Sequence, residues 1–303
     1  MLRLLIQLTF NKGIGNLYCY VIELLDFVDY YKNIGYKCDL IFSSNGKDVK
    51  NKYINFIKLE DIFDLSLFEI FDTIRNFEDS ITDTVFEGFT YHSTQYGPEH
   101  PGVHSWDIYF KNPIKALPYY PRKASMRTLL SNVFKPKLVP KLNKKIYEKS
   151  IDFINKNKDT TKSIHIRYCD YKLIPNNHFK ELTKNLFTIL KSTKTNFHFM
   201  SNNQYIIDEI TKLPNITKYD FKNLDLLPND HPYFHHIGDV DYDILLDRFY
   251  DNLTEMLILS YYDTIYYFTL VGPWISTFLY YSTINNPNQK LIDIQNNLEL
   301  ITQ

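Results

Sequence analysis

His165, Ile166, Arg167, Tyr168, Cys169 and Asp170 place an imidazole, a guanidinium and a carboxylate at fixed spacing around the end of a short alternating segment. From Lys162 to Arg167 a period of two puts Ile164 and Ile166 on one face of a predicted strand and Ser163, His165 and Arg167 on the other. A polar face of this kind is unlike ordinary core, so it is expected to meet a ligand. In an open α/β sheet ligands bind beyond the carboxyl ends of the strands, which puts Arg167 where a phosphate would arrive. Its planar fork can grip a diphosphate through two charge-assisted hydrogen bonds. Asp170, in the turn past the strand, would steady that fork, and His165 would offer a ring nitrogen to a nucleobase or sugar. The alternative is a buried Arg–Asp pair that closes a loop.

The chain that must position these groups has 303 residues, enough for two cores. Hydrophobic residues make up 44% and charged residues 23%, a globular profile and not a disordered one. A net charge of -1 supplies no broad field for nucleic acid or an anionic membrane, so any basic site must be local. The 25 Tyr and 22 Phe accompany abundant Ile, Lys and Asn, the residues of A/T-rich codons, and are not read as a carbohydrate-stacking signature. Cys19, Cys38 and Cys169 are odd in number and form no CxxC pair, which predicts reduced thiols in a cytoplasmic protein and no zinc site. Met1 to Phe10 is too short, and too soon interrupted by Lys12, for a signal peptide or membrane anchor. Thr264 to Gln289 carries no charge, but Gly272 and Pro273 split it, so strand, turn and helix are expected there and no membrane span. Asn215–Thr217 and Asn252–Thr254 match glycosylation acceptors and are read as coincidence.

Leu2 to Leu8 predicts a buried strand, with Gly13, Ile14, Gly15 and Asn16 as a turn at its carboxyl end. From Tyr18 to Asn33, Val21, Leu24, Leu25 and Val28 share one helical face; Gly35 stops that helix and Lys37 to Phe42 supplies the next strand, a βαβ unit. Apolar clusters at Ile62 to Phe71 and Ile108 to Leu117 are separated by a loop-like run, Tyr91 to Trp106, whose His92, His100 and His104 lack a metal-site context. Pro136 and Pro140 introduce a lysine-rich helix to about Asn157, with Leu142, Ile146 and Phe153 facing in and Lys141, Lys144, Lys145 and Lys149 on a solvated face. This helix is the predicted bridge between two domains, residues 1–140 and 141–303. After it, strands at Ser163–Arg167, Asn196–Met200, Thr264–Thr269 and Leu291–Ile294 alternate with helices at His178–Ser192, Tyr205–Leu213, Asp247–Tyr261 and Trp274–Thr283. Repeated βα units imply a parallel sheet covered on both faces, so the expected fold class is α/β, two Rossmann-like domains facing a central cleft.

This order of parts resembles the fucosyltransferase superfamily of glycosyltransferases with the GT-B fold. Gly13 to Leu17 is similar to that family's N-terminal G-x-G-N turn, and Ser163 to Asp170, after Phe134–Pro136, fits its H-x-R-x-x-D donor motif. Phe197 to Asn203 is similar to a strand ending in Ser/Thr-Asp-Asp, and Glu255 to Ser260 looks like the acidic residue opening the helix before the last donor-side strand. The likeness spans residues 10 to 284.

The resemblance implies a metal-independent, inverting transfer of fucose from GDP-fucose to a glycan hydroxyl, with no cofactor beyond the donor. It implies an acceptor-side domain at 1–140 and a donor domain at 141–303. Arg167 would meet the β-phosphate, His165 and Glu255 would lie near the guanine, and Asp170 would hold the loop. Gly13, Gly15, Asn16, Asn202, Asn203, Ser276 and Thr277 complete the implied donor contacts. The sequence departs from the pattern in four ways: Tyr168 replaces a second arginine, Asn202 and Asn203 replace paired aspartates, Leu270–Pro273 occupies the stretch where serines meet the diphosphate, and Ser276 and Thr277 are displaced along it. A non-catalytic nucleotide or sugar binder on the same scaffold is one alternative. A metal-dependent GT-A enzyme that uses Asp239 and Asp241 as a DxD pair is another.

Overall fold

The computed structural model describes residues 3–9, 14–43, 58–77, 89–91, 106–111, 136–167, 176–220, 242–269 and 277–302. The chain is mixed α/β and divides into two compact units, Met1–Lys144 and Lys145–Gln303.

In the first unit the apolar runs become β1 (Arg3–Thr9), β2 (Lys37–Ser43) and β3 (Thr73–Phe77), parallel to one another, with helix α1 (Ile14–Asn33) between the first two. Ile14, Gly15 and Asn16 form the first turn of α1, where a turn was expected, and Gly13 lies outside the described residues. Val21, Leu24, Leu25 and Val28 are buried as their spacing predicts, but so are Tyr18, Cys19, Ile22, Phe27 and Tyr31. The helix is covered all round from Leu17 to Leu25, and further along Asp26, Asp29 and Tyr30 mark its one partly exposed face. Gly35 ends it with φ 92°, and its amide donates to the Lys32 carbonyl at 3.0 Å, a left-handed cap that glycine adopts without a Cβ penalty.

Short helices at Leu59–Ile62 (α2) and Leu65–Ile70 lead into β3 and bury Ile62, Phe63, Phe68 and Phe71. The remaining strands, β4 (Phe89–Tyr91) and β5 (Trp106–Lys111), pair antiparallel, and β5 also lies antiparallel to β1, with Leu4 opposite Phe110 and Ile6 opposite Ile108. The order is β3-β2-β1-β5-β4, so this sheet is mixed where βα repetition suggested a parallel one. Cys19 and Cys38 are free and buried, and burial pushes both thiols up to about 12, so they stay protonated.

The second unit opens with helix α3 (Lys144–Lys156). Its strands are β6 (Lys162–Arg167), β7 (Phe197–Ser201), β8 (Ile216–Thr217), β9 (Thr264–Thr269) and β10 (Lys290–Asp293), all parallel, in the order β10-β9-β6-β7-β8. This is the expected doubly wound sheet. Helices α4 (Asn176–Ser192) and α5 (Gln204–Ile210) cover one face, where Leu182, Leu186, Ile206 and Ile210 pack on Ile164, Ile166, Phe197, Phe199 and Phe268. Helices α6 (Tyr242–Leu259) and α7 (Thr277–Asn285) cover the other, with Leu259 and Leu279 on Met200 and Ile265. The uncharged stretch is β9 and α7, and no described helix is long and apolar enough to cross a membrane.

Lys149, placed by pattern on a solvated face, instead lies 3.0 Å from the carboxylate of Asp251 on α6. Asn215 donates its side-chain amide to the carbonyls of Leu190, Thr193 and Thr195, tying the end of α4 to the start of β7.

Candidate functional site

The chain leaves β6 through α4 to reach β7 on one side, and later runs through β9 and α7 to β10 on the other, so the strand order reverses between β6 and β9. With the two connecting helices on opposite faces, the carboxyl ends of these strands border a crevice, the usual ligand position in a doubly wound sheet. The register there sets Arg167 opposite Thr269, with Ile166 between Ser201 and Phe268. Arg167 is therefore the last residue of the central strand and sits half-buried on that rim.

The rest of the polar face is not open to a ligand from the front. Ser163 and His165 are buried, because a parallel sheet is covered on both sides and helices close over the polar face as well as the apolar one. Alternation separates the two faces of a strand but does not say which is exposed. Ser163 Oγ donates to the His198 carbonyl at 3.1 Å, and the His165 ring stacks on Phe278 of α7 at 6.5 Å and 15°. His198 of β7 meets Phe153 of α3 edge-on at 5.2 Å and lies flat against Tyr262 at 5.3 Å. The ring nitrogens of both histidines and the Tyr262 hydroxyl have no hydrogen-bond partner among the described residues.

Burial makes this layer electrically quiet. Burial first, then the positive charge of Arg167 and the neighbouring His198, push His165 down to about 3, and burial pushes His198 down to about 3. Both rings are neutral at neutral pH, each with one N–H and one bare nitrogen. Glu255, 4% exposed, is raised well above the usual carboxylate range by burial and by the charge of Asp251. Asp251 itself is 1% exposed, with Lys149 Nζ 3.0 Å from its carboxylate and the Tyr219 hydroxyl donating to it at 3.0 Å.

Arg167 ends β6 and Asn202 and Asn203 follow the end of the neighbouring β7, where Ile166 pairs with Ser201, so all three lie at the carboxyl edge of the second sheet, with His165 two residues before Arg167. Asn203 caps α5, its side-chain oxygen accepting from the Ile206 amide at 3.1 Å. Glu255 was expected to open its helix, but α6 begins at Tyr242 and carries Glu255 well inside, in the closed layer. Thr277 is the first residue of α7, while Gly15 and Asn16 belong to the first unit. Gly13, Asp170, Ser276, Asp239, Asp241, His92, His100 and His104 lie outside the described residues. Among the described residues no cluster of His, Cys, Asp or Glu could hold a metal ion.

Pattern reading passed over His198, Asp251, Lys149, Tyr219 and Tyr262. Their signal is a polar residue on an apolar register: His198 interrupts the apolar strand Phe197–Met200, and Asp251 follows Phe249 and Tyr250 on a helix with buried neighbours.

The sequence matches no protein-family model and no curated protein. Solved fucosyltransferase structures resemble this chain along most of its length. NodZ alpha-1,6-fucosyltransferase soaked with GDP-fucose is 11% identical, with 93% of this chain and 92% of that one covered and a TM-score of 0.48. Fucosyltransferase NodZ from Bradyrhizobium is 10% identical, with 96% and 94% covered and a TM-score of 0.48. POFUT1 in an apo-form is 12% identical, with 95% and 97% covered and a TM-score of 0.43.

Proposed function

We propose that the chain is a glycosyltransferase that takes its sugar from a nucleotide-sugar donor, with fucose from GDP-fucose as the sugar and a glycan hydroxyl as the acceptor. One observation carries the reading: Arg167 ends the central strand of a parallel sheet at the crevice where the strand order reverses. The H-x-R-x-x-D spacing around it supplies the donor class. In an inverting displacement the acceptor oxygen bonds to the anomeric carbon as the bond to the diphosphate breaks, and the electron pair leaves on the diphosphate. A guanidinium fixed at the rim opposes that growing charge with two parallel donors, so the transfer is read as metal-independent. Asp170, three residues on, is the carboxylate proposed to steady the fork.

His165 fits a supporting part. Neutral and buried beneath Arg167, it sets no second cation at the rim. Asn202 at the end of β7 offers an amide on the other flank.

Thermal shift against GDP, ADP, UDP and CDP tests the donor class, since a ligand at about a hundred times its Kd adds ~2.7 kcal/mol of stability. GDP is expected to stabilise most. Arg167→Ala should lose that shift and lower transfer from GDP-fucose by ~100-fold or more, the effect of deleting one such contact, with an unchanged circular dichroism spectrum. A variant that still transfers at the parent rate refutes the role. GDP binding with neither hydrolysis nor transfer across a broad acceptor panel would point to a non-catalytic binder on the same scaffold.

A further inference from the structure

A second concavity lies on the same carboxyl edge, on the face covered by α4. It encloses about 420 Å³ and is lined by Glu181, Leu182 and Asn185 of α4, Phe268 near the end of β9, and Gln295, Asn296 and Leu298 after β10. That volume falls within the range of small-molecule sites, roughly 300–1,000 Å³. Leu182 and Phe268 form its floor at 7% and 3% exposure, while the four polar residues stand exposed around it. No hydrogen bond or ion pair engages those four side chains among the described residues.

We propose that this cavity binds a neutral saccharide ring. Among the described residues its lining carries one carboxylate and no cation, which disfavours a phosphate there, in contrast to the rim at Arg167. Nucleobases are held between aromatic or apolar faces, and a phenylalanine exposed by only 3% presents no such face. Three side-chain amides and a carboxylate instead offer planar pairs of donors and acceptors, which match the adjacent hydroxyls of a sugar, while the partly exposed Leu298 can meet its C–H face. The inference deepens the proposed function and rests on that reading for the source of the ring, while saccharide binding itself is tested apart from transfer. The ring could belong to the donor's sugar or to the acceptor glycan.

Full-length protein should be titrated with free hexoses, deoxyhexoses and N-acetylhexosamines, and with linear tetrasaccharides, following the side-chain amide signals of Asn185, Gln295 and Asn296 by NMR. The expected result is saturable binding by at least one saccharide, weakened about tenfold or more in N185L/Q295L and unchanged in R167A. Both altered positions are exposed, and circular dichroism confirms that the variant folds. Displacement by GDP-fucose in the parent but not in R167A assigns the ring to the donor; no displacement, with tetrasaccharides tighter than monosaccharides, assigns it to the acceptor. No saccharide binding up to the limit of solubility, or binding indifferent to N185L/Q295L, overturns the proposal. Saccharide binding without any nucleoside diphosphate binding would sink the proposed function and leave this site standing.

Discussion

Replacing His198 with Phe tests the closed polar layer beneath Arg167. The imidazole is fully buried between Phe153 and Tyr262, and its pKa falls from 6.5 to about 3 on folding. A group depressed in this way supports the fold above its unfolded pKa, and that support is lost as pH falls towards the folded value. Each pKa unit corresponds to ~1.4 kcal/mol, so His198 alone should cost roughly 2 kcal/mol between pH 7.5 and 5. Phenylalanine keeps the ring contacts and the backbone carbonyl that accepts from Ser163, but it cannot take up a proton. It also removes two ring nitrogens that have no described partner, whose desolvation costs about 1–3 kcal/mol each. His198→Phe should therefore be at least as stable as the parent at pH 7.5, and lose about 2 kcal/mol less than the parent on going to pH 5. Urea denaturation at three pH values measures both quantities. Equal losses in parent and variant would show that the ring is not held neutral by burial, and the account of this layer would fail.

Two further substitutions probe the same layer from its acidic side. Glu255 has its pKa raised from the ordinary 4.5, so its contribution is complete below that value and is lost as pH climbs through the folded pKa; Glu255→Gln should raise the melting temperature at pH 7.5, with the gain vanishing as pH approaches 4.5. Lys149→Met removes the cation 3.0 Å from buried Asp251 and should cost about 3–5 kcal/mol in urea denaturation, most of it recovered when Asp251→Asn is added, whereas additive single effects would show that the two do not interact.

What the sequence made legible follows from how local each signal is. Strand β9 lies at Thr264–Thr269, as its uncharged β-branched and aromatic run predicts, and α1 ends at Gly35 because only glycine takes φ 92° there without strain. The parallel second sheet could be read from repeated βα units, whose connections leave little choice of direction. The antiparallel insertion of β5 beside β1 could not, since it pairs residues about a hundred positions apart with no turn signal to announce the register. Arg167 was visible because it closes an alternating segment, and its rim position follows from the segment's end. The burial of His165 was not visible, because the ring it stacks on, Phe278, comes from a distant part of the chain.

The neutral layer and the rim arginine explain one another. A charged His165 would sit two residues below Arg167 on the same strand face, and its repulsion would lower the affinity of the crevice edge for holding a guanidinium in place. Burial removes that conflict by discharging the imidazole, and Arg167 adds to the depression in turn. The negative charge of Asp251 is matched by Lys149, so it adds little net field at the rim. With His165 discharged, that ring sets no second positive charge beneath Arg167, and in the proposed transfer the guanidinium would meet the departing diphosphate without that repulsion.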